Sequence, residues 1–569
     1  MISVHDHRSV IMLLPVLLLF IAAATTNTSP RLKHTLPDHN TKRVPFQQVE
    51  QFATTLLEGQ TVYIGGNGIL YQINFDDSST PNEIRLPDVP EKCRGQNTAS
   101  CGNYIMVLQR FDENKLLVCA TGSPYSRCWL SHNGELKEFI NGQKRVLGRF
   151  VLPSPPRQGF ASLVVEERIY SAAPFDGDKM VFDGYRKNDD IKRLRADTRW
   201  MNDPRFVGMS PVKDLIYMFF RERISQNNPD VDPWISRIAR VCKDDHGGSP
   251  RRLQMKWSTF LKARLLCNEP NNVHFNRIED TFIYKSAVDN ETRVYGVFSS
   301  NWNGTAVCVY SMKEIGDVFK TSDFKDSNGP VPSNPRPGTC VKNTKELPDE
   351  VLALVEDHPE MKTLISPIGG RPLMTSYDPH IKKIVVDSVV GPNGEENRLL
   401  ILAMGDGTIH KVLETGTSTF TIAQLTVLKQ PAPILSLSLD SDRKLLYVTS
   451  TMELARFPLV ACEEYVGPCA TCLQARDPYC GWDNDQKKCI PVTPNSKNVV
   501  QNLTSGDGCV TIKAEMARSS APRDGTVLRL PLNEGIPVYL SCPKQSYHAD
   551  YTWTFSGEGG REGAALFVQ

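Results

Sequence analysis

At 569 residues the chain is too long for one ordinary domain and is expected to hold about two to four units. Its 65 Lys and Arg against 64 Asp and Glu leave a formal net charge of +1, which excludes the global basic field that nucleic acid or a strongly anionic partner would require. Recognition is therefore expected to rest on a local surface.

The chain opens with Arg8 and then an uncharged, Leu-rich run at 10–24 that is broken by Pro15 and ends in Ala22, Ala23 and Ala24. A bilayer needs about 20 apolar residues, so this run is short for a span, and its small-residue end suits signal peptidase. Residues 1–24 read as a cleaved signal peptide. No later stretch is apolar enough to cross a membrane, and no lipid-anchor signal is read in the chain. A secreted protein, or one on the extracellular face of the plasma membrane, is expected. Asn290, Asn303 and Asn502 each head an Asn-x-Thr sequon and Asn27 an Asn-x-Ser one, beside the cleavage site, and together they agree with that compartment. There the 15 cysteines should be mostly disulfides, although in the cytosol the Cys469 and Cys472 spacing would suggest a metal or redox site.

From about residue 50 to 460, short β-branched or aromatic runs recur at 69–75, 115–120, 168–173, 215–220, 293–298, 399–404 and 444–450. Tyr71, Tyr170, Tyr217, Tyr295 and Tyr447 occupy similar places within them. Where insertions are absent the spacing is about 45–55 residues, the scale of a four-stranded propeller blade, so the runs predict seven blades. Gly65, Gly66, Asn67 and Gly68, and later Gly405, Asp406 and Gly407, supply hairpin turns and not phosphate loops, because no Lys-Ser/Thr ending follows. The wide gaps between Tyr217, Tyr295 and Ile401 predict insertions. One stretch, 257–266, alternates apolar and basic residues at helical spacing and predicts a short helix.

The remaining architecture is read from the cysteines. Cys93, Cys101, Cys119 and Cys128 form one group, Cys242, Cys267, Cys308 and Cys340 a second, and six lie between Cys462 and Cys509. So small a segment cannot bury enough apolar surface unaided, and disulfides are the expected remedy. Spacing alone leaves 15 connectivities for six cysteines. Cys542, with Trp553 eleven residues on, looks like the strand B cysteine and strand C tryptophan of an immunoglobulin domain whose second cysteine does not follow. Residues 525–569 are therefore expected to form an incomplete sandwich, either as a truncated form or with Cys542 as a free thiol.

Arg476-Asp477-Pro478-Tyr479-Cys480-Gly481-Trp482-Asp483 resembles the signature of the plexin, semaphorin and integrin (PSI) module. Upstream, Cys101-Gly102-Asn103-Tyr104-Ile105, Asn202-Asp203-Pro204-Arg205-Phe206-Val207, Phe275-Asn276-Arg277-Ile278 and Asn334-Pro335-Arg336-Pro337-Gly338 resemble semaphorin propeller motifs in the family's order. Asn301-Trp302-Asn303 and the run 406–412 are similar to class 7 of that family. The resemblance implies an all-β chain with a seven-bladed sema propeller at 45–461, a PSI module at 462–509 and a partial immunoglobulin-like sandwich at 525–569. It also implies the pairs Cys93–Cys101, Cys119–Cys128, Cys242–Cys340, Cys267–Cys308, Cys462–Cys480, Cys469–Cys509 and Cys472–Cys489.

By the same resemblance the protein is an extracellular ligand that forms a homodimer and clusters plexin receptors, of the plexin C1 type for class 7. Axon guidance, cell migration and immune modulation are the processes implied. The expected receptor face is the basic and aromatic region around Lys192, Arg193, Arg195, Trp200 and Asn202. Class 7 propellers can also carry an integrin-binding Arg-Gly-Asp tripeptide after the cysteine that matches Cys242. Lys243, Asp244 and Asp245 stand there in this chain, so the guanidinium is missing and integrin is the weaker expectation. An adhesion protein that binds integrin or matrix without plexin signalling is the alternative reading. No His-Glu-x-x-His pair, Gly-x-Ser-x-Gly elbow or repeated Asp-box is present, and His380 and His410 stand singly, so neither catalysis, a cofactor nor a small-molecule substrate is expected.

Overall fold

The computed structural model describes residues 32–35, 41–46, 54–76, 80–87, 102–122, 126–139, 152, 159–173, 181–186, 192–193, 200–224, 232–270, 273–288, 290–494, 496, 498–506 and 508–509. The expected signal peptide, the immunoglobulin-like segment, Asn27, Cys93, Cys101, Arg195 and Cys542 lie outside these residues.

Two strands come first, β1 (Leu32–Thr35) and β2 (Lys42–Pro45). Seven antiparallel sheets follow around a ring. Blade 1 is β3 (Thr55–Glu58), β4 (Thr61–Gly65), β5 (Ile69–Asn74) and β6 (Asn82–Arg85), and blade 2 is β7 (Ile105–Arg110), β8 (Leu116–Ala120), β9 (Arg127–His132) and β10 (Glu135–Glu138). Blade 3 is β11 (Ala161–Val165), β12 (Arg168–Ala173), β13 (Val181–Arg186) and β14 (Lys192–Arg193). Blade 4 is β15 (Arg205–Val212), β16 (Leu215–Arg223), β17 (Trp234–Cys242) and β18 (Leu261–Arg264). Blade 5 is β19 (Arg277–Lys285), β20 (Thr292–Ser299), β21 (Thr305–Ser311) and β22 (Met374–Ser376), with α1 (Met312–Thr321) and α2 (Asp349–Asp357) inserted before its last strand. Blade 6 is β23 (Ile381–Val390), β24 (Glu396–Met404), β25 (Ile409–Thr415) and β26 (Ser418–Thr426), and β1 adds to its outer edge in parallel. Blade 7 is β27 (Ile434–Asp440), β28 (Leu445–Ser450) and β29 (Glu453–Pro458), and its outer strand is β2 from the start of the chain, with Val44 opposite Leu454.

Closure of the ring therefore needs both ends of the propeller sequence, and the propeller begins before the expected residue 45. Strands this short and this polar carry no period of their own; their partners place them. The inner and middle strands are buried on both faces because each blade stacks between two others, which is why β16 and β24 read as continuous apolar runs. Outer strands such as β6 and β10 are charged and exposed, which blunts their free edges. The core lies between blades: Val44, Val62, Ile73 and Tyr447 join blades 7 and 1.

Six of the seven recurring runs form the second strand of their blades. The run with Tyr71 is the third strand of blade 1, and Tyr63 in β4 is the true counterpart of Tyr170, Tyr217 and Tyr447. Both strands carry an apolar-Tyr-apolar-like pattern, so periodicity could not choose between them. The expected helix at 257–266 is instead the outer strand of blade 4. Trp257, Phe260, Leu261, Ala263 and Leu265 are buried, and so is Lys262, which the helical pattern had assigned to a solvent face. The turns form as read: Gly68 and Gly407 have φ of 73° and 83°, a region open to glycine, and a Cβ on Gly407 would sit 3.3 Å from the Ala432 carbonyl.

The inner strands start together at one end of an axial channel. Its mouth is a cavity of about 900 Å³ to which Thr54, Met106, Phe160, Arg205, Glu279, His380 and Ile434 each bring one blade.

After blade 7 a cysteine-rich module holds α3 (Cys469–Gln474) and a three-stranded sheet of β30 (Cys480–Asp483), β31 (Lys488–Pro491) and β32 (Val499–Val500). Six disulfides are present among the described residues: Cys119–Cys128, Cys242–Cys340, Cys267–Cys308, Cys462–Cys480, Cys469–Cys509 and Cys472–Cys489. The last three tie the module, whose own cluster around Cys472, Leu473 and Trp482 is small, while Tyr465, Ala475 and Tyr479 bury against blades 6 and 7.

A buried polar seam fastens this module to blades 6 and 7. Lys411 Nζ donates to Asp477 Oδ2 at 2.7 Å and to the Leu459 carbonyl at 2.9 Å, and the Tyr465 hydroxyl donates to the same carboxylate at 2.8 Å. Tyr479 donates its hydroxyl to Asp387, which also takes Lys444 Nζ at 2.8 Å. Burial first, and then the adjacent carboxylates, hold both tyrosine hydroxyls well above their ordinary pKa, so they remain donors.

Candidate receptor-binding surface

Strand β14 places Lys192 and Arg193 on the outer edge of blade 3, paired among the described residues only with β13. Trp200, however, is not on the surface. Its ring is fully buried and stacks on Phe260 at 5.0 Å between centroids with the planes 7° apart, and its Nε1 donates to the Glu356 carbonyl of α2 at 3.0 Å. An indole with its faces packed and its N–H satisfied serves the core, so the expected aromatic anchor is corrected to a structural residue. Asn202 is also held from within. Its backbone N–H donates to Glu222 Oε2 at 3.0 Å and its Nδ2 to the Arg223 carbonyl at 3.0 Å.

Beneath Asn202 lies a buried charge cluster. Glu222 Oε1 accepts from Arg237 Nε and from Lys262 Nζ, both at 2.8 Å, while Arg237 forks onto Glu360 at 2.7 and 3.0 Å. Glu222, Arg237 and Lys262 are all buried. Burial lowers the Lys262 pKa, and Glu222 acts in the opposite sense. For Glu360, burial would raise the carboxyl, but Arg237, Lys262 and Lys325 prevail and hold it below its ordinary 4.5. A depressed carboxyl stabilises the fold above its unfolded value and loses that contribution as pH falls through the folded one. The melting temperature should therefore fall as pH is lowered below about 4.5, and Glu360→Gln should flatten that acid limb in a pH series of thermal melts. Glu222 and Glu360 lie 138 positions apart in sequence, so no local pattern could have paired them.

Above the cluster, where blades 4 and 5 meet the channel mouth, arginines are partly exposed and each is oriented. Asp203 pairs with Arg205 at 2.8 Å and Arg223 at 3.1 Å, Glu279 with Arg221 at 2.6 Å, and Asp232 with Arg277 at 3.2 Å. The Arg223 guanidinium lies 5.3 Å from the centre of the Trp234 ring. A row of guanidinium groups held in planar geometry suits docking of carboxylates on a protein partner. Among the described residues no group of three or more His, Cys, Asp or Glu side chains is placed to hold a metal ion.

The loop expected to replace an integrin tripeptide turns Asp245 inward and leaves Asp244 exposed. Asp245 is 5% exposed, and its carboxylate accepts from the backbone N–H groups of Gly247, Ser258 and Thr259 and from the hydroxyls of Ser258 and Thr259, at 2.7–2.8 Å. Asp244 pairs with Arg168 at 2.8 Å and Lys243 with Glu166 at 3.1 Å. Among the described residues each of these side chains is paired, which agrees with integrin being the weaker expectation at Lys243, Asp244 and Asp245. Asn290 and Asn303 are exposed; Asn502 is half-buried, its side chain bonded to Ser505.

A closed seven-bladed ring with a disulfide-tied module on blades 6 and 7 defines a sema-type architecture. The Sema domain model matches residues 278–441, and the plexin repeat (PSI) model matches residues 461–510. Semaphorin-7A of Mus musculus is 33% identical over 94% of this chain and 82% of its own length, and that of Homo sapiens is 33% identical over 90% and 77%. In the solved structure of Drosophila plexin A in complex with semaphorin 1b, a 25% identical chain superposes with a TM-score of 0.68, covering 84% of this chain and 98% of that one. The chain belongs to the semaphorin family and is of the class 7 kind.

Proposed function

We propose that this protein is an extracellular semaphorin ligand that binds a plexin receptor, of the plexin C1 type, and signals by bringing receptors together. The observation that carries the reading is the complete sema ring with its docked PSI module, matched at 33% identity to semaphorin-7A. A solved plexin complex among its structural relatives favours the same receptor class. A homodimer would make the ligand bivalent and raise the effective concentration of the second receptor contact. Guidance of cells or axons and modulation of immune cells would follow from the responding cell. The protein itself would act by binding, without catalysis.

The receptor face in this reading runs from Lys192 and Arg193 on the edge of blade 3, with Arg195, to Asn202, Arg205 and Arg223 on blade 4, without Trp200. Binding of the purified chain across a panel of plexin ectodomains tests the function, and absence of binding to every plexin would overturn it. Reversing charge at Arg193 and Arg195 together is expected to weaken the plexin that does bind by at least about tenfold, or 1.4 kcal/mol. Unchanged affinity would move the face elsewhere and leave the receptor class intact.

A further inference from the structure

The most exposed aromatic ring among the described residues is Trp302, at 82%. It stands in the five-residue turn between β20 and β21, at the channel-mouth end of blade 5. The rest of that turn is tied down. The Ser300 N–H donates to the Gly304 carbonyl at 2.9 Å, and the Ser300 hydroxyl oxygen accepts from the Trp302 and Gly304 N–H groups at 3.2 Å. Arg277 donates to Asn301 Oδ1, and His380 Nε2 donates to the Asn303 carbonyl at 3.0 Å. Two side chains at the tip, Trp302 and Asn303, have no partner among the described residues. An indole held out on a rigid turn leaves its apolar ring faces open to a partner. The next residue heads Asn303-Gly304-Thr305.

We propose that Asn303 carries an N-linked glycan whose first sugars lie against the Trp302 indole, so that blade 5 presents a sugar-covered tryptophan and not a bare protein contact. In the transfer the Asn303 Nδ2 bonds to the anomeric carbon of an oligosaccharide on its lipid pyrophosphate carrier, losing one proton as the carrier pyrophosphate leaves. The axial C–H groups of a pyranose ring are apolar and slightly positive, and the indole face is apolar and negative, so the two faces suit each other. Asn303 has φ of 58°, a conformation that Asn tolerates, and it points the chain sharply at the tip of the turn.

The timing of the modification also follows from the geometry. The sequon hydroxyl, Thr305 Oγ1, is buried, donates to the Ser376 carbonyl at 3.0 Å and accepts from the Ile381 N–H at 3.0 Å. Those partners lie in β22 and β23, so the hydroxyl is accessible to a transferase only before blades 5 and 6 come together. The glycan is therefore added to the unfolded chain and is in place when the ring closes.

The test uses the full chain secreted from mammalian cells. Glycopeptide mapping should find Asn303 occupied. Hydroxyl-radical footprinting read by mass spectrometry should then show Trp302 oxidised about twofold more slowly than after amidase removal of the sugar from the folded protein, one ring face being covered. Buried Trp200 and Trp257 serve as internal references that should not change. Removing the sugar enzymatically avoids any folding defect of an Asn303→Gln variant. An unmodified Asn303 peptide, or an occupied one with equal Trp302 oxidation before and after removal, would overturn the proposal.

Discussion

Glu222→Ala is expected to destabilise the propeller by about 3–5 kcal/mol, among the largest losses any single substitution should cause here. Glu222 accepts from Arg237, Lys262 and the Asn202 N–H, and all three acidic or basic partners of this core are shielded from water. Without it, Glu360 must serve two buried cations alone, and Lys262 keeps the burial that already disfavours its charged form. Removing a charge together with its partner should be far milder. In a Glu222→Met, Lys262→Met protein the Arg237–Glu360 fork remains intact, so most of the loss should be recovered. Urea melts of the two proteins decide the matter. A single-variant loss under about 1 kcal/mol would mean that water reaches the cluster. On the proposed receptor face the same substitution should also weaken plexin binding, because the Asn202 segment loses its internal anchor.

The second large effect is expected at the seam. Asp477→Ala strips the carboxylate that joins Lys411, Tyr465 and the Tyr479 N–H, and it leaves the Lys411 ammonium buried at 5% exposure. A loss of about 3–5 kcal/mol is expected for this pair as well, but concentrated at the junction. Limited proteolysis should then cut between blade 7 and the cysteine-rich module, near 459–462, while the disulfides keep each part whole. If the cleavage pattern and melting temperature were unchanged, the seam would be incidental to docking. Phe420 gives independent support to the contact: the Arg476 guanidinium lies 4.5 Å from the centre of its ring, so replacing it with Leu should weaken the seam more gently.

What could be read without coordinates followed a consistent physical line. Runs such as 215–220 and 399–404 announced middle strands because those strands are buried on both faces and need apolar residues at every position. Glycines announced turns because only certain residues accept positive φ. Trp200 was read as a surface anchor because residue type alone marks a tryptophan beside basic residues as interface-like. Burial reversed that assignment, since the indole finds its hydrogen-bond partner inside the fold. The strand at 261–264 was read as helix for a related reason. Lys262 counts as polar in any periodicity, yet here it is a core residue whose charge is met by Glu222.

The sequence by itself determined the family, the seven-blade repeat and the cysteine-rich character of the second unit, because these depend on local pattern and residue chemistry. The tertiary structure alone decided how the ring closes with β2 from the start of the chain, and which charges are buried. It also decided which of the aromatic residues faces water. Those outcomes depend on contacts between residues up to several hundred positions apart, such as Val44 and Leu454, and no window of sequence contains both sides of such a contact. The local surface proposed for recognition is accordingly a set of individually paired arginines, held in place by a core that the sequence does not display.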